Sequence, residues 1–188
     1  MFYDTAGNRH GLAHDPFKAI VTPRPIGWIG TKGRDGSLNL SPYSFFNAVS
    51  DRPKIVMFSS SGRKDSLRNA EQTGVFTANF VSADLLHPMN ASSVAVPYGT
   101  DEFTIAGLTP VMGKLVDAPY VGEAHAVLEC RVTEIHTLKT IEGEESDSHA
   151  VFGQVVGIHI DERVIRDGRF DVGLARPVSR LGYMDYAE

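Results

Sequence analysis

An antiparallel β-barrel or β-sandwich with few helices is the fold class predicted by this 188-residue sequence. Three observations lead there. The 18 glycines and 10 prolines are scattered along the chain, with β-branched runs between them. The stretch "RDGS", Arg34 to Ser37, supplies an Asp-Gly hairpin turn between two such runs. Helix-like segments are rare, the clearest being "LRNAEQTG", closed by Gly74. Sequential strands joined by turns close naturally into antiparallel barrels or sandwiches.

Taken in order, the expected strands are "KAIVT", "IGWIGTK", "KIVMFSS", "VFTANFV", "GKLVD", "AHAVLECRVTEIHTL" and "VFGQVVGIHI". In "VFTANFV", Phe76, Ala78 and Phe80 share one face while Thr77 and Asn79 share the other, the alternation of a half-buried strand. In "KIVMF", Lys54 to Phe58, both faces are apolar, so cover is expected on both sides. A barrel interior supplies one cover and a second subunit the other, which predicts a dimer.

The length suits one well-buried core, and a single domain over residues 1–188 is expected. A net charge of −5 argues against a nucleic-acid partner, which calls for a basic surface. It leaves room for one small anion in a local cationic pocket. The N-terminus lacks a charged-then-apolar leader and no window nears a spanning length, so no membrane role is expected. The single Cys130 cannot form an internal disulfide, which fits a reducing cytoplasm.

Polar character concentrates at "FSSSGRKDS", Phe58 to Ser66, where an apolar strand turns into a short helix. A phosphate needs hydroxyl donors, free backbone N–H groups and one or two cations. Ser59, Ser60, Ser61 and Ser66, a permissive Gly62, and Arg63 with Lys64 offer them. The helix start would add unpaired N–H groups, with Asp65 as its cap. The alternative is a solvated loop whose serines cap and whose cations face water. Neither a Walker loop nor a G-x-G-x-x-G is present, which disfavours a Rossmann dinucleotide site.

Two further stretches mix ring-binding surface with donors. "NLSPYSFFNAV" sets Asn39, Ser41 and Ser44 among Pro42 and aromatic residues, the mixture that a planar heteroaromatic ligand requires. In "TPRPIGWIGT", prolines flank Arg24, and Gly27 and Gly30 bracket Trp28 closely enough to admit something flat. Trp28 reads equally as core.

Metal chemistry is not expected. His125 and Cys130 are of opposite parity on one strand, and His149 and His159 would stand roughly 33 Å apart on another. No G-x-S-x-G elbow suggests a serine hydrolase.

Six separated blocks carry a family likeness: "HDPFKAIVTPRPIGWIGT", "GSLNLSPYSFFNAVSDRPKIVMFSS", "KDSLRNAEQTGVFTANFV", "VPYGTDEFTIAGLTPV", "HAVFGQVVGIHID" and "PVSRLGYMDY". From about His14 to Tyr186 the chain resembles the flavin reductase-like, FMN-binding split-barrel family, including its flavoredoxin branch. Gly30 departs from that pattern, where a serine is expected.

The resemblance implies a mainly β, Greek-key-like split barrel with a few short helices, and a homodimer holding FMN near its interface. It implies a phosphate held by Ser59, Arg63, Lys64 and Ser66. The flavin would be lined by Asn39, Ser41, Pro42 and Ser44, with Arg24, Trp28 and Thr31 against it from the first strand. His149, Arg180 and Tyr183 would complete the pocket, some from the other subunit. The implied activity is hydride transfer from NADH or NADPH to flavin, with His149 or Arg180 supplying positive character to the ring. A tight FMN electron carrier that does not use nicotinamide is the alternative. Implied partners are an oxygenase or an electron-transfer protein.

Overall fold

Alternating apolar and polar side chains draw seven strands into one antiparallel sheet. The computed structural model describes residues 1–188. The chain runs α1 (Phe17–Ile20), β1 (Arg24–Pro25), β2 (Gly27–Lys32), β3 (Leu38–Tyr43), β4 (Phe46–Asp51) and β5 (Lys54–Ser61). It continues through α2 (Asp65–Thr73), β6 (Val75–Asn79), α3 (Leu86–Ala91), α4 (Glu102–Ala106), β7 (Pro110–Met112) and β8 (Pro119–Val121). Two long strands follow, β9 (Ala126–Lys139) and β10 (Glu145–Ile160), then β11 (Ile165–Arg166) and β12 (Arg169–Phe170). The tail holds α5 (Val172–Ala175), β13 (Ser179–Arg180) and β14 (Tyr186–Ala187).

The main sheet has the order β3-β2-β6-β9-β10-β5-β4. Its two edge strands are consecutive in the chain, joined only by Ser44 and Phe45, and Ser59 N donates to Phe45 O at 2.8 Å. The sheet therefore curls back on itself and its edges meet, giving a split barrel. The expected mainly β fold with few short helices is what the structure shows. The Asp35-Gly36 turn joins β2 to β3, with Gly36 at φ 88°, where glycine carries no Cβ penalty.

Two apolar clusters lie on opposite faces of the sheet. Inside the barrel, Phe58 packs against Tyr43 and Phe76 at centroid separations of 4.9 and 5.3 Å. Leu67 and Ala70 of α2 join that cluster. On the other face Trp28, Leu40, Met89, Phe103 and Val121 pack together with α3 and α4. Each fully buried large side chain contributes roughly 1.5–3 kcal/mol.

Four local expectations change. "KAIVT" falls in and just after the one-turn helix α1, whose Ile20 N donates to Pro16 O at 2.9 Å and whose end is held by Arg24, donating to Val21 O at 2.6 Å. "GKLVD" is a loop, because the buried Glu129 carboxylate accepts from Lys114 N, Leu115 N and Val116 N at 2.8, 2.6 and 2.9 Å. On β6 both faces are buried: Thr77 Oγ1 donates to Pro119 O at 2.6 Å, and Asn79 accepts from Val121 N at 2.8 Å. Lys64, not Asp65, occupies the N-cap of α2, and Asp65 is the first helical residue.

The paired glycines of β2 admit parts of the protein itself. A Cβ on Gly27 would lie 2.5 Å from Phe46 Cγ, and one on Gly30 would meet the Pro119 carbonyl and Thr77 Oγ1. The serine expected at position 30 would thus face β8 rather than a ligand. No helix is long and apolar enough to cross a membrane.

Candidate functional site

The strand-to-helix corner opens onto a polar cavity of about 320 Å³. Asn39, Ser41 and Tyr43 reach it from alternate positions of β3, Lys64 and Ser66 from the start of α2, and Glu102 from α4. Thr31, fully buried on β2, fixes the amides behind it: Asn39 Nδ2 and Asn69 Nδ2 donate to its Oγ1 at 3.0 and 3.1 Å. Asn39 Nδ2 also donates to Ser66 Oγ at 2.9 Å.

Two groups here are not at rest. The Tyr43 hydroxyl is buried and has no hydrogen-bond partner. Burial raises its pKa, while the hydroxyls of Ser66, Ser60 and Ser41 around it oppose the rise, though none bonds it in good geometry. Glu102, only 4% exposed, accepts from Leu40 N at 3.0 Å. Burial pushes its carboxyl above the ordinary range, the Leu40 N–H opposes this, and the nearby Asp65 charge adds to it.

A second cavity of about 330 Å³ lies on the other side of β3 and shares Ser93 with the first. Pro42 and Ser44 face it, with Arg24 and Lys18 from the N-terminal segment and Arg180, Tyr183 and Tyr186 from the tail. Arg180 stacks 4.5 Å over the Tyr186 ring and donates to Tyr186 Oη and Tyr183 O. Arg24 is held by the carbonyls of Lys18, Val21 and Leu181.

The expected residues therefore divide. Asn39, Ser41, Lys64 and Ser66 meet at the first cavity; Arg24, Pro42, Ser44, Arg180 and Tyr183 meet at the second. Trp28 has no exposed surface, sits in the outer core and donates from Nε1 to Ser92 Oγ at 2.9 Å, so it supports the site from behind. Thr31 does likewise. Arg63 points away and pairs with Glu71, its side chain 62% exposed. Ser59 lines neither cavity; strand alternation turns it opposite to the buried Ser60, whose Oγ donates to Gly62 O at 2.9 Å. His149 lies on β10 between Ser60 and Thr137, its Nδ1 3.1 Å from Thr137 Oγ1, and reaches neither cavity within one chain.

Tyr43, Asn69, Ser93 and Glu102 went unrecognised in the sequence. Tyr43 carried a signal, since it shares the parity of Asn39 and Ser41 on one strand. Glu102 carried none, because long-range packing alone brings α4 against β3.

The cavities suit a phosphorylated, polyhydroxylated heteroaromatic group. Hydroxyls, an amide, one ammonium and the carboxyls of Asp65 and Glu102 surround the first cavity beside the start of α2, where helical N–H groups lack intrahelical partners. Aromatic and thioether surface with cations lines the second. The fold defines a split-barrel protein. The chain belongs to the flavin reductase like domain family, whose model matches residues 20–175.

Relatives and solved structures are similar to the chain over most of its length. An uncharacterized protein of Aquifex aeolicus (strain VF5) is 35% identical over 176 residues, covering 90% of this chain and 86% of its own. Nitrilotriacetate monooxygenase component B from Bacillus cereus superposes with a TM-score of 0.91 at 27% identity, over 100% of this chain and 94% of that one. Flavoredoxin of Desulfovibrio vulgaris (Miyazaki F) superposes with a TM-score of 0.76 at 26% identity, over 89% and 87%.

Proposed function

We propose that this protein binds FMN and transfers hydride to it from NADH or NADPH. The observation that carries the reading is the convergence of Asn39, Ser41, Lys64 and Ser66 on one cavity at the start of α2. Bound FMN would supply the redox chemistry, and the protein the binding, orientation and electrostatics. Lys64 and Ser66 would hold the phosphate, with Arg63 and Ser59 assisting after a side-chain shift. Asn39 and Ser41 would take the ribityl hydroxyls. Pro42, Ser44, Arg24, Arg180 and Tyr183 would border the ring, with Trp28 and Thr31 fixing the strand behind.

A second subunit would pack on the exposed apolar side chains of Val49, Ile158 and Ile160, the last two paired with Leu128 and Ala126 of β9. An apolar groove of about 380 Å³ lined by Ile26, Phe46, Phe80 and Leu128 adds to that surface. A homodimer would cover this apolar surface and bring His149 of a second copy toward the flavin. Likeness to an oxygenase component supports a partner oxygenase, and the lone, buried Cys130 supports a cytoplasmic setting.

The deciding experiment is a visible absorption spectrum of the purified protein, followed by anaerobic addition of NADH and then NADPH. Yellow protein bleached by either cofactor supports a reductase; colourless protein that takes up no FMN sinks the reading. Likeness to flavoredoxin favours one second reading, a tight FMN electron carrier. In that case the yellow colour would persist with both nicotinamides.

A further inference from the structure

The second cavity holds more positive charge than this protein balances. Lys18, Arg24 and Arg180 line it and no carboxylate does. None of the three belongs to any ion pair of the chain. The first cavity differs: there Lys64 is accompanied by Asp65 and Glu102.

Arg24 shows that this imbalance is felt. It is 6% exposed, its Nη atoms are spent on backbone carbonyls, and its buried Nε has no partner. Burial lowers its pKa first, and the Arg180 charge lowers it further, so the two guanidinium groups repel each other. A buried cation without a counter-charge is unfavourable, and an anion placed among these groups relieves it. Uncharged donors are at hand in Ser44 and the Asn90 side-chain amide, whereas Ser93 Oγ already donates to Asn90 O at 2.6 Å.

We propose that the second cavity seats an oxyanion, a phosphate or carboxylate, belonging to the substrate that exchanges electrons with the flavin. Its role rests on the flavin reading; its charge does not. Two sources share this chemistry: the phosphates of a nicotinamide dinucleotide and the anionic group of an electron acceptor. Arg24 and Arg180 also hold the backbone in place, whereas the exposed Lys18 makes no side-chain hydrogen bond or ion pair and isolates the electrostatic role.

Inorganic pyrophosphate is the probe, titrated calorimetrically into the FMN-free chain and then used as an inhibitor of the FMN-loaded protein. Lys18→Glu is expected to weaken pyrophosphate binding about tenfold or more, and Lys18→Gln by less. FMN affinity should stay within about twofold in both. Inhibition competitive with NADH or NADPH assigns the cavity to the dinucleotide; inhibition competitive only with ferricyanide assigns it to an anionic acceptor. Absence of both heat and inhibition up to about 20 mM would overturn the proposal, as would equal affinity in wild type and Lys18→Glu. Failure to bind FMN would sink the flavin reading alone, since the titration of the FMN-free chain still decides the anion site.

Discussion

The Asn39 side chain on β3 and the Ser66 side chain on α2 are tied by a 2.9 Å hydrogen bond, with the Asn39 amide as donor. The same nitrogen donates to Thr31 Oγ1 at 3.0 Å, so three elements are locked at one wall of the polar cavity. Asn39→Asp removes the donor and adds negative charge there. The expected loss is about 2 kcal/mol of stability, read in denaturant melts, and at least about tenfold in FMN affinity. Unchanged FMN affinity would detach Asn39 from the cofactor.

Adjacent cations at the corner should behave differently. Lys64 lines the cavity, while Arg63 is paired with Glu71 and exposed. Lys64→Ala is expected to weaken FMN about tenfold and riboflavin hardly at all, since only FMN carries the phosphate. Arg63→Ala should cost about threefold or less. A larger loss from Arg63 would show that it swings into the site.

Glu102 gives a stability dependence of unusual sign. Burial raises its folded carboxyl, so the unfolded chain ionises first as pH rises, and stability drops until the folded carboxyl follows. Glu102→Gln keeps an acceptor for Leu40 N but removes that drop. The melting temperature of the variant should gain on wild type from about pH 4 upward. A constant difference between pH 4 and 8 would count against it.

Glu129 works the other way. Burial opposes its ionisation, yet His159, with Nε2 2.5 Å from Oε1, and three backbone N–H groups hold the carboxyl below the ordinary value. Its contribution is complete above the unfolded value, about 4.3, and fades as pH falls through the folded one. Glu129→Gln should cost about 3 kcal/mol at neutral pH, with the gap closing in acid. Parallel melting curves from pH 7 down to 3 would refute this.

Gly30→Ser tests the one departure from the family pattern. The new Cβ would press on the Pro119 carbonyl and come within 2.5 Å of Thr77 Oγ1. A loss of about 2–3 kcal/mol is expected, with no gain in FMN affinity. Tighter FMN binding would mean that this face of β2 reaches the cofactor after all.

Local patterns reveal strands well where the pleat alone decides. The β9 and β10 runs and the Asp35-Gly36 turn were legible because alternation and turn chemistry act within a few residues. The helix at Phe17–Ile20 and the loop around Glu129 were not, because Arg24 and Glu129 impose them through contacts that no short window contains. The polar corner was legible as chemistry. Which of Arg63 and Lys64 faces the cavity depends on where α2 begins, and Asp65 turned out to be inside the helix. Trp28 read as core or ligand wall with equal ease, and its bond to Ser92 decides for core.

The strand from Leu38 to Tyr43 is a partition with a chamber on either side. The two chambers are separated by the thickness of a single backbone and share Ser93. A phosphate held by Lys64 and Ser66 and an anion arriving beside Pro42 and Ser44 would be neighbours through a wall.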